Sequence, residues 1–303
     1  MIFWVRGGSC HKSMLESLAE VLEPSYDILP VNPLDNVLSP IDPVRFLTFG
    51  MMGFDDYFAK MISQNLIGRI NSGHSIFLWL MRNRKKRTIK LLTKYITKEN
   101  PDLIISTTPF FNYELAHVAS ITGKKFLLIA PDLSIKHYFT ASPERLDFAC
   151  TIPFNDKIAW DGVSQLGIKE CQVAACGMPV RSIFLEEHNK ETARKELNIN
   201  PQSHVAMIMM GGAGSKNVLN LIKEISRYPA QLDLLVCIGK STNLRKKIDK
   251  IRFPPHIKIN VIGYTNNIHQ IMAASDILIT KPGTMSIERQ LSVPVSDNYL
   301  CRF

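Results

Sequence analysis

The chain has 303 residues, 46% of them hydrophobic and 21% charged, with a formal net charge of +9 and an isoelectric point of about 9.2. That length is about twice an average domain, which predicts two domains, and the composition excludes a disordered or low-complexity chain. The charge favours anionic partners such as phosphates, nucleotide sugars or acidic lipid, and no nucleic-acid recognition motif accompanies it.

The six cysteines, Cys10, Cys150, Cys171, Cys176, Cys237 and Cys301, form no C-x-x-C pair, which is the pattern of a reduced, cytoplasmic protein and not of a disulfide scaffold. No signal-peptide pattern opens the chain. The longest apolar cluster, SIFLWLM at 75–81, is far below the roughly 20 residues needed to cross a bilayer.

In chain order, the apolar run Ile2 to Val5 ends in Gly7 and Gly8, and Met14, Leu15, Leu18 and Leu22 then recur at helical spacing. This predicts a buried strand, a tight turn and a helix, with His11 at the carboxyl end of the strand. Open α/β sheets bind their ligands along that edge. YDILPVNPL (26–34) reads as a second strand running into a proline-broken loop, and PDLIISTTP (101–109) as a strand covered on both faces. Between them, FLTFGMMGFDDYFAKMI and HSIFLWLM lead into the basic block RNRKKR (82–87) and a helical stretch, TIKLLTKYITKENP. A helix stopped by Gly123, the strand KKFLLIAPDLS, and the short strands FACTIP and CQVAACGMPVR around a further helix complete a doubly wound parallel sheet.

GMPVRSIF (177–184) marks a change of unit, so the expected domains are 1–178 and 179–303. The alternation then restarts with HVAMIMM, QLDLLVCIGK, IKINVIGYT and ASDILIT as strands. Two Rossmann-like units facing across a cleft are the predicted architecture.

Two glycine loops carry the chemistry of the second unit. Gly211, Gly212 and Gly214 follow a strand and precede a helix, where exposed N–H groups and the helix dipole favour a phosphate; a tight turn alone is the alternative. The G-x-G-x-x-G spacing of dinucleotide enzymes is incomplete. In ITKPGTMSIE (279–288), Thr284 and Ser286 offer hydroxyls for a diphosphate and Glu288 a carboxylate for a ribose diol, the alternative being a simple helix cap.

GGSCHKS, PDLIISTTP, APDLSIKHYF, GMPVRSIF, MMGGAGS and GYTNNIHQIMAASDILITKPGT, in this order, resemble the diacylglycerol glycosyltransferases, namely monogalactosyldiacylglycerol synthase and the processive diacylglycerol glucosyltransferase. More distantly they resemble the lipid II N-acetylglucosaminyltransferase. The resemblance covers nearly the whole chain, and its most specific part runs from Gly263 to Gly283. It implies the GT-B fold and an inverting transfer of a hexose from a UDP-sugar, bound mainly by the second domain, to diacylglycerol in glycolipid synthesis. An N-acetylglucosaminyl transfer to a polyprenyl-linked acceptor, a UDP-sugar 2-epimerase and a non-catalytic fragment stay open as alternatives.

The resemblance assigns His11 as the general base, a role that suits an imidazole with a pKa near neutral. A helix-start histidine satisfied by backbone is the plain alternative. Asp132 matches a family aspartate that orients His11 or the acceptor, or caps a helix, and His137 falls near a family histidine. Gly211, Gly212, Gly214 and Ser215 become the donor phosphate loop, and Tyr264 and Thr265 the segment whose backbone reads uracil. Gly283, Thr284 and Ser286 become the second diphosphate loop and Glu288 the ribose carboxylate. No D-x-D-like pair adjoins these loops, so no metal cofactor is expected, and backbone N–H groups and helix ends would stabilise the leaving diphosphate. The chain stops earlier than the family pattern, so an incomplete second domain is expected.

Residues 45–93 lie where such enzymes carry a membrane-associating segment. Phe46, Phe49, Met51, Met52, Phe54, Tyr57, Phe58 and Met61 supply apolar groups, and Arg82, Arg84, Lys85, Lys86 and Arg87 can sit among anionic headgroups. Packing of the apolar part on the sheet is the equal alternative. The expected location is peripheral, on an anionic membrane surface facing the cytoplasm.

Overall fold

The computed structural model describes residues 1–6, 9–63, 76–77, 79–210, 217–239, 241–280 and 299–302. The chain divides into two compact units, with the main change between Pro179 and Val180.

The first unit holds β1 (Ile2–Phe3), β2 (Pro30–Val31), β3 (Leu103–Ser106), β4 (Lys125–Ile129), β5 (Ala149–Ile152) and β6 (Val173–Ala175), in the order β2-β1-β3-β4-β5-β6. All pairings are parallel. Helices cover such a sheet on both faces, and so Ile104, Ile105, Phe126, Leu128, Cys150 and Ile152 are all buried along successive strands. The chain passes from β1 to β2 on one side and returns to β3 on the other. The topological switch point therefore lies between β1 and β3. The second strand is shorter than its apolar run predicts, because Pro30 and Pro33 lack the N–H groups a ladder needs and residues Pro33–Val37 turn into a single π-helical turn.

Among the described residues, the helices that accompany this sheet include α1 (Ser9–Leu22), α2 (Pro43–Leu47), α3 (Phe54–Ser63), α4 (Lys85–Glu99), α5 (Asn112–Ile121) and α6 (Lys157–Gln165). The buried face of α1 is rotated from the expected one. His11, Ser13, Met14 and Ser17 are buried, while Leu15, Leu18 and Leu22 are only half-buried. The Ser17 hydroxyl satisfies itself on the Ser13 carbonyl at 2.8 Å, and His11, one turn before Met14, is carried inward with it.

The 45–62 segment divides between the two readings. Phe54 is buried against Phe77, their rings stacked with centroids 3.6 Å apart, and Tyr57 and Phe58 pack on the same core. The turn ahead of α3 does the opposite. Phe46, Leu47, Phe49 and Met51 are 83%, 74%, 93% and 84% exposed. The turn is nonetheless tightly bonded: Gly50 N–H donates to the Arg45 carbonyl at 2.8 Å and Met52 N–H to Thr48 Oγ1 at 3.1 Å. Phe49 and Gly50 hold φ of 51° and 85°, a reversal that costs a side chain energy at Phe49 and is free at Gly50. The buried Asp42 closes its base by accepting Val44 N–H at 2.9 Å and Phe54 N–H at 2.8 Å.

The second unit contains β7 (His204–Met209), β8 (Leu232–Gly239), β9 (Ile257–Gly263), β10 (Ile277–Thr280) and β11 (Tyr299–Arg302), all parallel, in the order β11-β10-β7-β8-β9. Its helices are α7 (Lys190–Glu196), α8 (Asn217–Ile225), α9 (Thr242–Ile248) and α10 (Ile268–Ala274). Two apolar clusters line the sheet, one of Phe184, Met207, Leu235 and Met272, the other of Ile208, Ile222, Val236 and Ile248. A buried guanidinium ties α7 to the sheet. Arg194 Nη2 donates to both carboxylate oxygens of Asp276 at 2.9 Å, and its Nε to the Ala274 carbonyl at 3.0 Å. Burial of Asp276 opposes ionisation, but hydrogen bonds from Lys190 and the Val205 N–H, together with Arg194, hold its carboxyl below the ordinary value.

Candidate functional site

At the β1/β3 switch point, His11 Nδ1 lies 2.6 Å from the carbonyl oxygen of Thr107, the residue that leaves β3. Thr107 is itself fixed to β1 by its N–H, which donates to the Phe3 carbonyl at 3.0 Å. A carbonyl oxygen only accepts, so Nδ1 carries the proton and Nε2 keeps its lone pair. Burial pushes the His11 pKa below its usual value, against the opposing pull of the Thr107 contact and the charges of Asp132 and Asp55. The ring is thus neutral at neutral pH, with the nitrogen a base needs left unprotonated.

Asp132 stands on the loop after β4, exposed, with Tyr138 Oη donating to its Oδ2 at 2.8 Å. Its charge acts on His11, but the Nδ1 partner is the Thr107 carbonyl. His137 is an exposed neighbour on the same loop. Asn112 joins this loop to the one after β3, its Nδ2 donating to the carbonyls of Thr108 at 2.9 Å and Tyr138 at 3.0 Å while Ser106 Oγ donates to its Oδ1 at 2.6 Å. Sequence reasoning passed over Thr107, Asn112, Tyr138 and Asp55. The signal it had was three consecutive hydroxyl residues, Ser106, Thr107 and Thr108, which leave an apolar strand and are fully buried.

In the second unit the chain runs β7, β8, β9 to one side and returns as β10 on the other, which puts that switch point between β7 and β10. The two strand ends are joined there, Thr280 Oγ1 donating to the Met209 carbonyl at 2.6 Å. The two glycine loops leave from these neighbouring ends. Their proposed ligands, Gly211, Gly212, Gly214 and Ser215 in one and Gly283, Thr284, Ser286 and Glu288 in the other, lie outside the described residues. Tyr264 and Thr265 follow β9, the far strand of the sheet. Tyr264 is exposed, and Thr265 Oγ1 accepts the Asn267 N–H at 3.0 Å. Among the described residues, no group of three or more His, Cys, Asp or Glu side chains is placed to hold a metal ion.

No protein-family model matches the chain. It is 25% identical over 209 residues to the processive diacylglycerol beta-glucosyltransferase of Staphylococcus epidermidis, an alignment covering 66% of this chain and 50% of that protein. The chain is likewise 26% identical over 215 residues to the processive diacylglycerol beta-glucosyltransferase of Bacillus subtilis, covering 68% of this chain and 53% of that protein. It spans about half the length of the curated relatives it matches. Among solved structures, Arabidopsis thaliana UGT89C1 complexed with UDP-L-rhamnose superimposes with a TM-score of 0.58 at 12% identity, covering 100% of this chain and 78% of that one. A glycosyltransferase from Rickettsia africae gives a TM-score of 0.55 at 12% identity, over 99% and 83% of the two chains. The fold is GT-B, as the motifs imply.

Proposed function

We propose that the protein transfers a hexose from a UDP-sugar to the free hydroxyl of diacylglycerol with inversion, using His11 as general base. The observation that carries this reading is the fixed tautomer of His11, whose Nδ1–H is held by Thr107 at 2.6 Å so that Nε2 is the acceptor. The acceptor oxygen bonds to the anomeric carbon as its proton passes to Nε2. The bond from that carbon to the diphosphate breaks, and UDP leaves with the electron pair. The kinship with processive diacylglycerol beta-glucosyltransferases supports the substrates. The loops at the β7 and β10 ends are the donor diphosphate site in this reading, with charge met by backbone N–H groups and no divalent ion.

An anionic membrane surface is the second partner we infer, reached from the cytoplasmic side. The exposed turn of Phe46, Leu47, Phe49 and Met51 supports it. So does the outer side of α4, where Lys86, Lys90 and Lys94 stand exposed at four-residue spacing beside Arg87. Two expected headgroup ligands are committed elsewhere: Arg84 donates to the Ile41 carbonyl, and Lys85 Nζ sits 3.6 Å over the Tyr113 ring.

The test is transfer from radiolabelled UDP-glucose or UDP-galactose to diacylglycerol in mixed vesicles, with UDP binding measured by calorimetry. His11→Ala should bind UDP as the wild type does and lose transfer by about 100-fold or more, the usual size of a general-base contribution. Undiminished transfer in that variant removes His11 from the mechanism.

A further inference from the structure

The peptide unit between Thr107 and Thr108 is held at both ends. Its carbonyl oxygen lies 2.6 Å from His11 Nδ1, and its N–H donates to Ser106 Oγ at 3.3 Å. The single proton of that hydroxyl goes on to Asn112 Oδ1 at 2.6 Å. Asn112 Nδ2 faces two carbonyls, Thr108 at 2.9 Å and Tyr138 at 3.0 Å, and because carbonyls only accept, the orientation of the amide is fixed. Ser106, Thr107, Thr108 and Asn112 are all fully buried.

Asn112 is committed to this network and not to its own helix. It opens α5 directly after Phe111, whose side chain supplies no cap and whose backbone stands at φ 63° and ψ 14°. A bulky residue in that left-handed region costs energy, and such strain persists where the surrounding structure fixes it.

We propose that Asn112 is a positioning residue for both arms of the site: through Ser106 it locks the Thr107–Thr108 peptide with its carbonyl on His11 Nδ1, and through the Tyr138 carbonyl it holds the residue whose hydroxyl binds Asp132. The inference rests on the reading of His11 as the base. The peptide is planar, so a rotation that pulls the Thr108 N–H off Ser106 also swings the Thr107 carbonyl off the imidazole. The donors run one way, from imidazole to peptide to serine to amide, and buried chains of that kind strengthen their members.

The experiment is NMR of the histidine ring nitrogens at pH 8 in the isotope-labelled full chain, with neither donor nor acceptor present and the His11 signals assigned by their loss in His11→Asn. The wild type should carry the His11 proton on Nδ1. Ser106→Ala removes the acceptor of the Thr108 N–H, and Asn112→Asp removes the donor to both carbonyls while keeping an acceptor for Ser106. In each, the share of His11 with its proton on Nε2 should rise by roughly two- to tenfold, the factor that one net hydrogen bond represents. Ser17→Ala is the control: it deletes another buried hydroxyl, bonded at 2.8 Å to the Ser13 carbonyl on the same helix as His11, and should leave the tautomer unchanged. A shift in either folded network variant with none in the control supports the proposal. A wild-type proton on Nε2, an unmoved tautomer in the folded network variants, an equal shift in Ser17→Ala, or the failure of both network variants to fold each overturns it. Because the tautomer is read without sugar transfer, this result stands or falls separately from the activity of His11→Ala.

Discussion

The His11 imidazole and the Thr107 carbonyl meet at 2.6 Å across the point where the first sheet reverses its winding, and this single contact fixes which ring nitrogen is free. Burial holds the ring pKa below its ordinary value, so the unfolded chain takes up the proton first as the pH falls. The stability this group contributes is complete above the unfolded value of about 6.5 and is lost as the pH falls through the lower folded value. His11→Asn, whose amide can take the Nδ1 position on Thr107, should flatten the fall in melting temperature between pH 7.5 and 5.5 by a few degrees, roughly 1 kcal/mol per unit of pKa shift removed. His269, also lowered, first by burial and then by His188 and Arg181, leaves some slope in the variant. Parallel melting curves for the two proteins would contradict the assignment.

Glu114 predicts the reverse dependence. It is buried in the first turn of α5, its Oε1 accepts the Thr140 hydroxyl at 3.3 Å, and its Oε2 has no hydrogen-bond partner among the described residues. Burial pushes its carboxyl up, only partly offset by its own backbone N–H, Lys85, Thr140 and His117. A raised folded value means stability that is present below the unfolded pKa and lost as the pH rises through the folded one. Glu114→Gln should therefore raise the melting temperature at pH 8 by about 2–4 °C and change it little at pH 4. Thermal melts at the two values decide it, and a uniform destabilisation would show that the carboxylate is needed.

Membrane binding should separate into an apolar and an electrostatic part. Replacing Phe46, Leu47, Phe49 and Met51 by serine should weaken flotation on neutral and acidic vesicles alike, since each buried apolar side chain contributes on the order of 1 kcal/mol or more. Replacing Arg82, Lys86, Arg87 and Lys90 by glutamine should weaken it only on acidic vesicles, by roughly 1 kcal/mol per charge, and less at high salt because the Debye length shortens. Unchanged flotation in both variants would leave this face as ordinary surface.

Transfer should proceed in EDTA at an undiminished rate. This follows from the sequence, where no paired carboxylates adjoin the two glycine loops, so that helix ends and backbone N–H groups meet the diphosphate charge. Activity lost in EDTA and restored by magnesium or manganese would refute it.

The sequence by itself determined the parallel α/β character of both units. It did so because strand and helix periodicities are local: Leu103 to Ile105 and Val205 to Met209 are continuous apolar runs, and Gly123, at φ +68°, ends its helix where the pattern stops. It also put His11 at a strand's carboxyl end, since a glycine turn leaves little choice of where the next helix starts. Which atom that histidine would face was not local information. Thr107 is 96 positions away and arrives at His11 only because the sheet order β2-β1-β3 brings the exits of β1 and β3 together. The 45–62 segment shows the same limit: Phe49 and Phe54 look alike in an apolar stretch, and only the turn through Phe49–Gly50 and the capping of its base by Asp42 leave one ring in water and stack the other on Phe77. Hydrophobicity selects residues for burial, but the tertiary hydrogen bonds choose among them, because a buried polar group must find a partner wherever the fold supplies one.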